Sequence, residues 1–287
     1  MRRIRHNVEL KSPEQITLMR AAGLVVARGL AAMTNAAVPG VTTADLDRVA
    51  REVLADNGAT SSFLGYDIGN GPYPGVICAS VNHEVVHGIP SSDTILNDGD
   101  IISIDFGAVV DGWHGDAAVT VAIGNVADDA AELSQACRKS LWDGLAAAAT
   151  GARLTDISHA VEKSVRASGA AGSGPYGIVE GYGGHGIGSR MHMDPHILNY
   201  GAPGHGPKLE AGMALAIEPM ITLGSPATAE LDDGWTVVTA DGSLAAHWEH
   251  TIALLDDGPW VLTAEDGGRV ELGERGIQLS ALASASA

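Results

Sequence analysis

The sequence predicts an α/β (α+β) protein assembled from two similar halves that face each other. Three observations carry that expectation. Segments of helical periodicity alternate with β-rich apolar runs along the chain. A faint repeat recurs: Gly40-x4-Asp45-Leu46 up to Asn57-Gly58 is matched by Gly151-x4-Asp156-Ile157 up to Ser168-Gly169, at an offset of 111 residues. Further on, LNDGDIISID (Leu96 to Asp105) is matched by LEAGMALAIE (Leu209 to Glu218), at an offset of 113. Each unit reads as a helix, a glycine-rich stretch and a strand ending in a carboxylate. Asp105 and Glu218 are then equivalents approaching one central site. Chance similarity between low-information segments is the competing reading. No GxGxxG lies between a strand and a helix with an acidic residue about 20 positions on, so a dinucleotide site has little support.

The elements follow in order. Ser12 caps a first helix, Pro13 fits its first turn, and Gln15 closes a capping box. Ile16, Met19, Leu24, Ala27, Leu30 and Ala31 give an approximate helical stripe, which Pro39-Gly40 breaks. A second helix fits Asp45 to Asn57, with Leu46, Val49, Val53 and Leu54 on one side and Gly58 as its stop. A third spans about Asp129 to Ala148 and a fourth about Asp156 to Ser168, ended by Gly169. Strands fit Gly75 to Val81, Asp100 to Phe106, Ala117 to Ile123, Met213 to Ile217 and His247 to Leu254, with Asp111-Gly112 suited to a tight hairpin turn between the second and third. The 37 glycines concentrate in Gly169 to Gly188 and Gly201 to Gly212. Because His, Tyr, Pro and Asn interrupt them, these stretches read as ordered functional loops rather than linkers.

Composition narrows the class. At 287 residues the chain can bury a sizeable core as one large domain or two small ones. Lys plus Arg is 17 against 35 Asp plus Glu, a net charge of −18, which disfavours a basic nucleic-acid groove. Two cysteines, Cys78 and Cys137, cannot make a disulfide-dense secreted scaffold. A hydrophobic content of 45% excludes a disordered chain. No 18-residue apolar run is free of charge and glycine breaks, so no membrane span is expected. The start, MRRIRHNVELKSPEQ, is basic but lacks the apolar core of a signal peptide, so a cytoplasmic location is expected.

Polar residues stand inside apolar or glycine-rich surroundings at Val86-His87-Gly88, Ile104-Asp105-Phe106, Gly115-Asp116-Ala117, Gly184-His185-Gly186, Ile217-Glu218-Pro219 and His247-Trp248-Glu249-His250-Thr251. A carboxylate in a core strand is costly unless it is paired or bound to metal. Folding the hairpin at Asp111-Gly112 brings Asp105 and Asp116 to neighbouring strands, where they repel unless neutralised. Four carboxylates and one imidazole match the charge of two divalent cations, and oxygen-rich ligation favours Mn, Co or Fe over a thiolate-type zinc site. No CxxC or HExxH pattern is present. Read singly, Asp116 is a turn cap, Glu249 pairs with His250 or an arginine, Met191 and Trp235 are core packing, and Cys78 is a small buried hydrophobe. His87 and His192 stay open at this level. His185, between two glycines, reads as a place where backbone approaches a ligand closely.

The segments VNHEVVHGIP, SIDFGAVVDGWHGDAAVT, GYGGHGIGSRMH, LEAGMALAIEPMI and HWEHTIALL, in this order and spacing, closely resemble the type I methionine aminopeptidases of the duplicated pita-bread fold. The resemblance runs from the first helix to about Thr263. It implies one catalytic domain over residues 1–287 with a short amino-terminal extension and no zinc-finger module, and pseudo-twofold halves around a dinuclear metal site. It implies Asp105, Asp116, His185, Glu218 and Glu249 as ligands of two divalent cations (Co, Mn, Fe or Zn), with Asp116 and Glu249 bridging. His87 and His192 match the active-site histidines that contact the substrate, and Glu218 is the candidate proton carrier. Tyr73, Cys78, Met191 and Trp235 match the walls of a small apolar pocket that admits Met and rejects Phe or Arg. Passage of the next residue between His87 and His192 favours a small second residue.

The implied substrate is the amino terminus of a peptide or nascent polypeptide. A transient ribosome encounter, a monomeric state, and no direct nucleic-acid or membrane role complete the expectation. The chain departs from the family pattern at His247, where Gln is usual, at Met193, where Glu is common, and at Ala214 and Ala216, where Thr or Phe are commoner. The helical insertion of the type II branch is absent between His192 and Glu218. A prolidase-like activity is the alternative with the same site composition, although prolidases carry a large additional amino-terminal domain for which 287 residues leave no room. A non-enzymatic pita-bread binding protein would have lost ligands, and all five are present.

Overall fold

The computed structural model describes residues 8–169 and 175–285. The basic start and positions 170–174 of the first glycine-rich stretch lie outside the described residues. In chain order the elements are helices α1 (Pro13–Ala36) and α2 (Thr43–Asp56), then strands β1 (Thr60–Ser61), β2 (Ile77–Val81), β3 (Glu84–Val86), β4 (Ile101–Val110) and β5 (Trp113–Ala122). Helices α3 (Asp128–Ala147) and α4 (Leu154–Ala167) follow, then β6 (Gly177–Ile178), β7 (Gly184–Gly186), β8 (Met193–Ile197), β9 (Ala214–Ile217) and β10 (Met220–Thr222). The chain continues through β11 (Thr228–Glu230), β12 (Val237–Thr239), β13 (Ala245–His247), β14 (His250–Leu255), β15 (Gly258–Val261), α5 (Arg269–Glu274) and α6 (Ala281–Ala285).

The capping box expected at Ser12 is formed: Gln15 N–H donates to Ser12 Oγ at 3.3 Å and Ser12 N–H to Gln15 Oε1 at 2.8 Å. A second box makes Thr42 the cap of α2 and Asp45 its third residue, so the helix starts two residues before its expected beginning. The same chemistry at Asp156, which accepts from Arg153 N–H at 2.8 Å, starts α4 at Leu154. With these starts, adding 111 to the bounds of α2 gives the bounds of α4.

The α1 stripe needs correction. The buried face runs through Ile16, Met19, Ala22, Gly23, Val26, Gly29, Leu30 and Met33, while Leu24, Ala27 and Ala31 are not buried. Small residues define this face because β4 lies so close: a Cβ on Gly29 would stand 2.3 Å from the Phe106 ring. Among the described residues, α1 is also the one helix long and apolar enough to cross a membrane by length and composition. Its apolar face is occupied by β4 and β5.

A four-stranded sheet has the order β1-β4-β2 with β5 on β4, and a five-stranded sheet has the order β15-β14-β9-β7-β8. Two smaller sheets, β13-β10-β6 and β11-β12-β3, flank them. The β4–β5 hairpin turns at Asp111 and Gly112, with φ of 50° and 81°, the left-handed pair a two-residue turn requires. Both strands outrun their expected limits, so Asp105 lies mid-strand rather than at a strand end. Glu218, by contrast, follows the last residue of β9. The expected strand from His247 to Leu254 is two strands in different sheets, broken at Trp248-Glu249.

β5 and β14 meet along a seam with local twofold symmetry. Ala118 and Glu249 exchange backbone hydrogen bonds of 3.3 and 2.9 Å. On one side Thr120 Oγ1 donates to the His247 carbonyl at 2.8 Å; on the other Thr251 Oγ1 donates to the Asp116 carbonyl at 2.8 Å. The duplication read from the repeat is therefore expressed in the hydrogen bonding, with Asp116 equivalent to His247 and Ala118 to Glu249. Helices cover one face of each half: Val26, Leu30 and Leu46 pack with Ile102, Ile104 and Phe106, and Leu141, Leu145, Ile157 and Val161 with Leu215, Ile217, Ile252 and Leu254. The glycine-rich stretch from Gly201 to Gly212 is ordered, but it serves α4 rather than the site. Gly204 N–H donates to Asp156 Oδ1 at 2.7 Å and Gly201 N–H to Glu162 Oε2 at 2.9 Å.

Candidate metal centre

Strand parity aims the acids. Ile102, Ile104 and Phe106 of β4 face the helices, so Asp105 projects from the opposite face. Ala117 of β5 does the same for Asp116. With Asp105 opposite Ala118 and Gly107 opposite Asp116, the two aspartates are diagonal neighbours on one face. His185 stands on β7 opposite Ala216 of β9. Its flanking glycines serve the sheet rather than a ligand: a Cβ on Gly184 would lie 2.2 Å from the Ala216 carbonyl oxygen, and one on Gly186 2.1 Å from that of Asp194. Glu218 is held through its carbonyl, which accepts from Asn199 Nδ2 at 2.9 Å. Glu249 occupies the seam itself.

These side chains converge. One ligand atom each from Asp116, His185 and Glu249 lies within 4.8 Å of the others. His185 Nε2 is 4.0 Å from Asp116 Oδ2 and 3.6 Å from Glu218 Oε1. Asp105 Oδ1, Asp116 Oδ1 and Glu249 Oε1 are buried without a hydrogen-bond partner. Among the described residues, the ion-pair partners of Asp116 and Glu218 are imidazoles alone. Burial pushes the Asp116 carboxyl up to about 7. Burial first, and then the neighbouring acids, drive Asp105 and Glu249 well above the usual carboxylate range; Glu218 is raised by burial and Asp116. Burial lowers His185 to about 4 and His247 to about 3, so both rings are neutral near pH 7. Clustered acids with orphaned oxygens and neutral imidazoles form a donor set fitted to divalent cations. Among the described residues, no Lys or Arg side chain lines the cavity to offer the same compensation.

Every residue that the sequence offered as a metal ligand, catalytic group or pocket wall lines one cavity of about 100 Å³. The acids and His185 occupy one side. On the other, Tyr73 and Trp235 meet edge to face at 5.1 Å, and Cys78 and Met191 join the same apolar cluster. These four side chains are thus both core packing and cavity wall. The Tyr73 hydroxyl donates to the carbonyls of Ile77 and Gly88 at 3.0 and 2.9 Å. Burial and the nearby Asp105 push the Cys78 thiol up, so it remains a neutral wall. His87 adopts φ of 62° and lies edge-on to Trp235 at 6.2 Å. The His192 ring centroid is 4.4 Å from that of His185, and its Nδ1 is 2.6 Å from the Tyr66 hydroxyl.

Tyr66, Phe63, Ile68 and His247 also line the cavity. Sequence reasoning missed the first three. They sit in a segment without periodicity or paired polar residues, and only the hydrogen bond to His192 marks Tyr66. His247 was visible in the polar run from His247 to Thr251 and as a departure from a family pattern, but it was given no role.

Three comparisons bear on this geometry. The model of metallopeptidase family M24 matches residues 17–256. The chain is 55% identical over 259 residues to methionine aminopeptidase 1 of Mycobacterium tuberculosis, covering 90% of this chain and 96% of that protein. The crystal structure of methionine aminopeptidase from Thermotoga maritima superposes with a TM-score of 0.85 at 40% identity, covering 90% of this chain and all of that one. Prolidase from Pyrococcus furiosus, at 19% identity and a TM-score of 0.69, shares the fold, with 89% of this chain matched to 65% of that chain.

Proposed function

The chain belongs to metallopeptidase family M24, among its type I methionine aminopeptidases of pita-bread fold, and on that premise we propose how its residues divide the work. It removes the N-terminal methionine by metal-dependent hydrolysis. The observation that carries the division is the single cavity with buried, unpaired acids at one side and an apolar aromatic wall at the other. Asp105, Asp116, His185, Glu218 and Glu249 would hold two divalent cations (Co, Mn, Fe or Zn), which when bound acidify water and polarise a carbonyl.

The methionine side chain enters among Tyr73, Cys78, Met191 and Trp235, where a flexible thioether fits against sulfur and aromatic edges. The free amine lies toward the acids, which favour a basic chain end over an acylated one. Tyr66 remains a phenol because burial raises it, and we assign its hydroxyl, 2.6 Å from His192 Nδ1, the donor role in that contact. Burial keeps His192 neutral by lowering it to about 3, and with Tyr66 as donor the ring's proton sits on Nε2, poised to donate to the scissile group as negative charge develops there. His87, lowered to about 4 by burial, is likewise neutral and positions the substrate amide. Glu218, whose carboxylate burial makes a stronger base, would be ionised when the cations are bound and would then take the proton from water and pass it to the leaving nitrogen. The next residue leaves between His87 and His192, which favours a small second side chain. The same proposal makes the protein a cytoplasmic monomer meeting nascent chains near the ribosome, where N-terminal methionine first emerges.

Initial rates on five peptides test this reading. Met-Ala-Ser is cleaved to release Met, and its N-acetylated form resists. Leu-Ala-Ser is slower by a factor consistent with about 1–3 kcal/mol of misfit. Met-Lys-Ser is slow because of its large second residue. Equal hydrolysis of the free and acetylated peptides would defeat the assigned amine position, and faster cleavage of an Ala-Pro peptide would favour a prolidase-like division of the cavity.

A further inference from the structure

We propose that His247 is an additional metal ligand of this chain, offering Nε2 beside Glu218 in the second half as Asp116 stands beside Asp105 in the first. The inference rests on the metal-dependent reading above and extends its donor set. His247 is 2% exposed, and its Nε2 has no hydrogen-bond partner among the described residues. Native interiors rarely leave such an atom unmatched. The backbone fixes where the ring can go: His247 N–H donates to Thr120 Oγ1 at 3.0 Å and its carbonyl accepts from the same hydroxyl at 2.8 Å. The ring lines the cavity that holds the acids.

The distances have the spacing of co-ligands. His247 Nε2 is 3.7 Å from Glu218 Oε2, beyond hydrogen-bond reach. Two donors each about 2.1 Å from one ion stand at most about 4.2 Å apart, so 3.7 Å fits a shared cation. His185 Nε2 stands 3.6 Å from the other oxygen of the same carboxylate, Oε1. Glu218 is thus bracketed by two imidazoles, one per oxygen. The seam symmetry supplies an independent reason: His247 occupies the position equivalent to Asp116, whose side chain belongs to the acid cluster.

An added imidazole shifts preference toward Co and Fe relative to Mn, which is better served by carboxylates. The test uses the full chain stripped of metal and reloaded. Proton NMR of the Co-loaded wild type in water is expected to show two exchangeable, paramagnetically shifted imidazole N–H signals, from His185 and His247. A single such signal would overturn the proposal, and this readout needs no variant to fold. His247→Gln and His247→Ala, checked for fold by circular dichroism, are expected to lose one signal. Each should bind Co about tenfold or more weakly in calorimetric titration, with Mn affinity changed much less. Variants that keep both signals and wild-type Co affinity would also overturn it. A wild-type chain that takes up neither Co nor Mn would instead defeat the underlying metal reading.

Discussion

Tyr66 and His192 show how one hydrogen bond assigns a role. The 2.6 Å contact ties the His192 ring to a phenol, and no sequence spacing announces it. Tyr66→Phe should lower kcat about tenfold with KM little changed, because the phenol orients the donor rather than binding substrate; steady-state kinetics on Met-Ala-Ser measures the split. His87→Ala should lower kcat/KM by roughly a hundredfold while metal uptake stays intact, since His87 contacts the substrate side of the cavity. Parallel metal titration and kinetics check this, and loss of metal would reject the role. Asp116→Asn should abolish most metal uptake at unchanged fold, read by calorimetry and circular dichroism. The acids were legible in the sequence because a carboxylate among Ile, Ala or Trp demands an explanation. Tyr66 was not, since an aromatic in an aperiodic segment has many ordinary uses.

Helix α1 carries the clearest lesson among the elements. Its buried Arg20 donates to the carbonyls of Leu262, Ala264 and Glu265 at 2.7, 2.6 and 2.8 Å, tying the first helix to the segment after β15. Arg20→Ala leaves those carbonyls without their donor, and a loss on the order of 3 kcal/mol is expected. Urea unfolding at fixed metal concentration measures it. The capping box at Ser12 made the start of α1 readable, whereas α2 and α4, for which no cap was read, begin two residues before their expected starts. The helix face was harder: the strand beneath selects for small residues, whereas a periodicity reading follows large ones. Strand ends were misplaced for a related reason, because β4 and β5 continue through residues that neither alternate nor break. The interruption at Trp248-Glu249 is set by the neighbouring seam, not by a local breaker.

Across the whole molecule, the buried acids and histidines make stability depend on metal and pH in a definite direction. Metal-free, the folded state holds His87 and His185 at about 4 and His192 and His247 at about 3, against about 6.5 unfolded. Their contribution rises with pH and is complete above about 6.5. Asp116, at about 7, and Asp105, Glu218 and Glu249, raised well above the usual carboxylate range, act in the opposite sense, since the folded state keeps protons that the unfolded state releases near pH 4. The two effects oppose each other between about pH 4 and 6.5. Above that only the acids remain, so the midpoint of thermal unfolding in chelator should fall from pH 6.5 to 8.5. Added Co or Mn should remove that fall by binding the ionised acids. Identical pH profiles with and without metal would count against the centre.

The sequence alone determined the duplication, the helix pairs with the Ser12 cap of the first, the hairpin turn and the identity of the acidic cluster. Each of these follows from local chemistry: a cap three residues from its partner, two left-handed residues at a turn, a charge that apolar neighbours cannot solvate. Tertiary structure decided which atoms meet. The exchange of bonds between Ala118 and Glu249 joins residues 131 positions apart and places the two halves about a local twofold axis. That seam sets His247 against Thr120 as the symmetry counterpart of Asp116, and turns its ring toward Glu218. No local rule could supply this placement, because the position of a side chain in a shared cavity depends on where two separately folded strands come to lie.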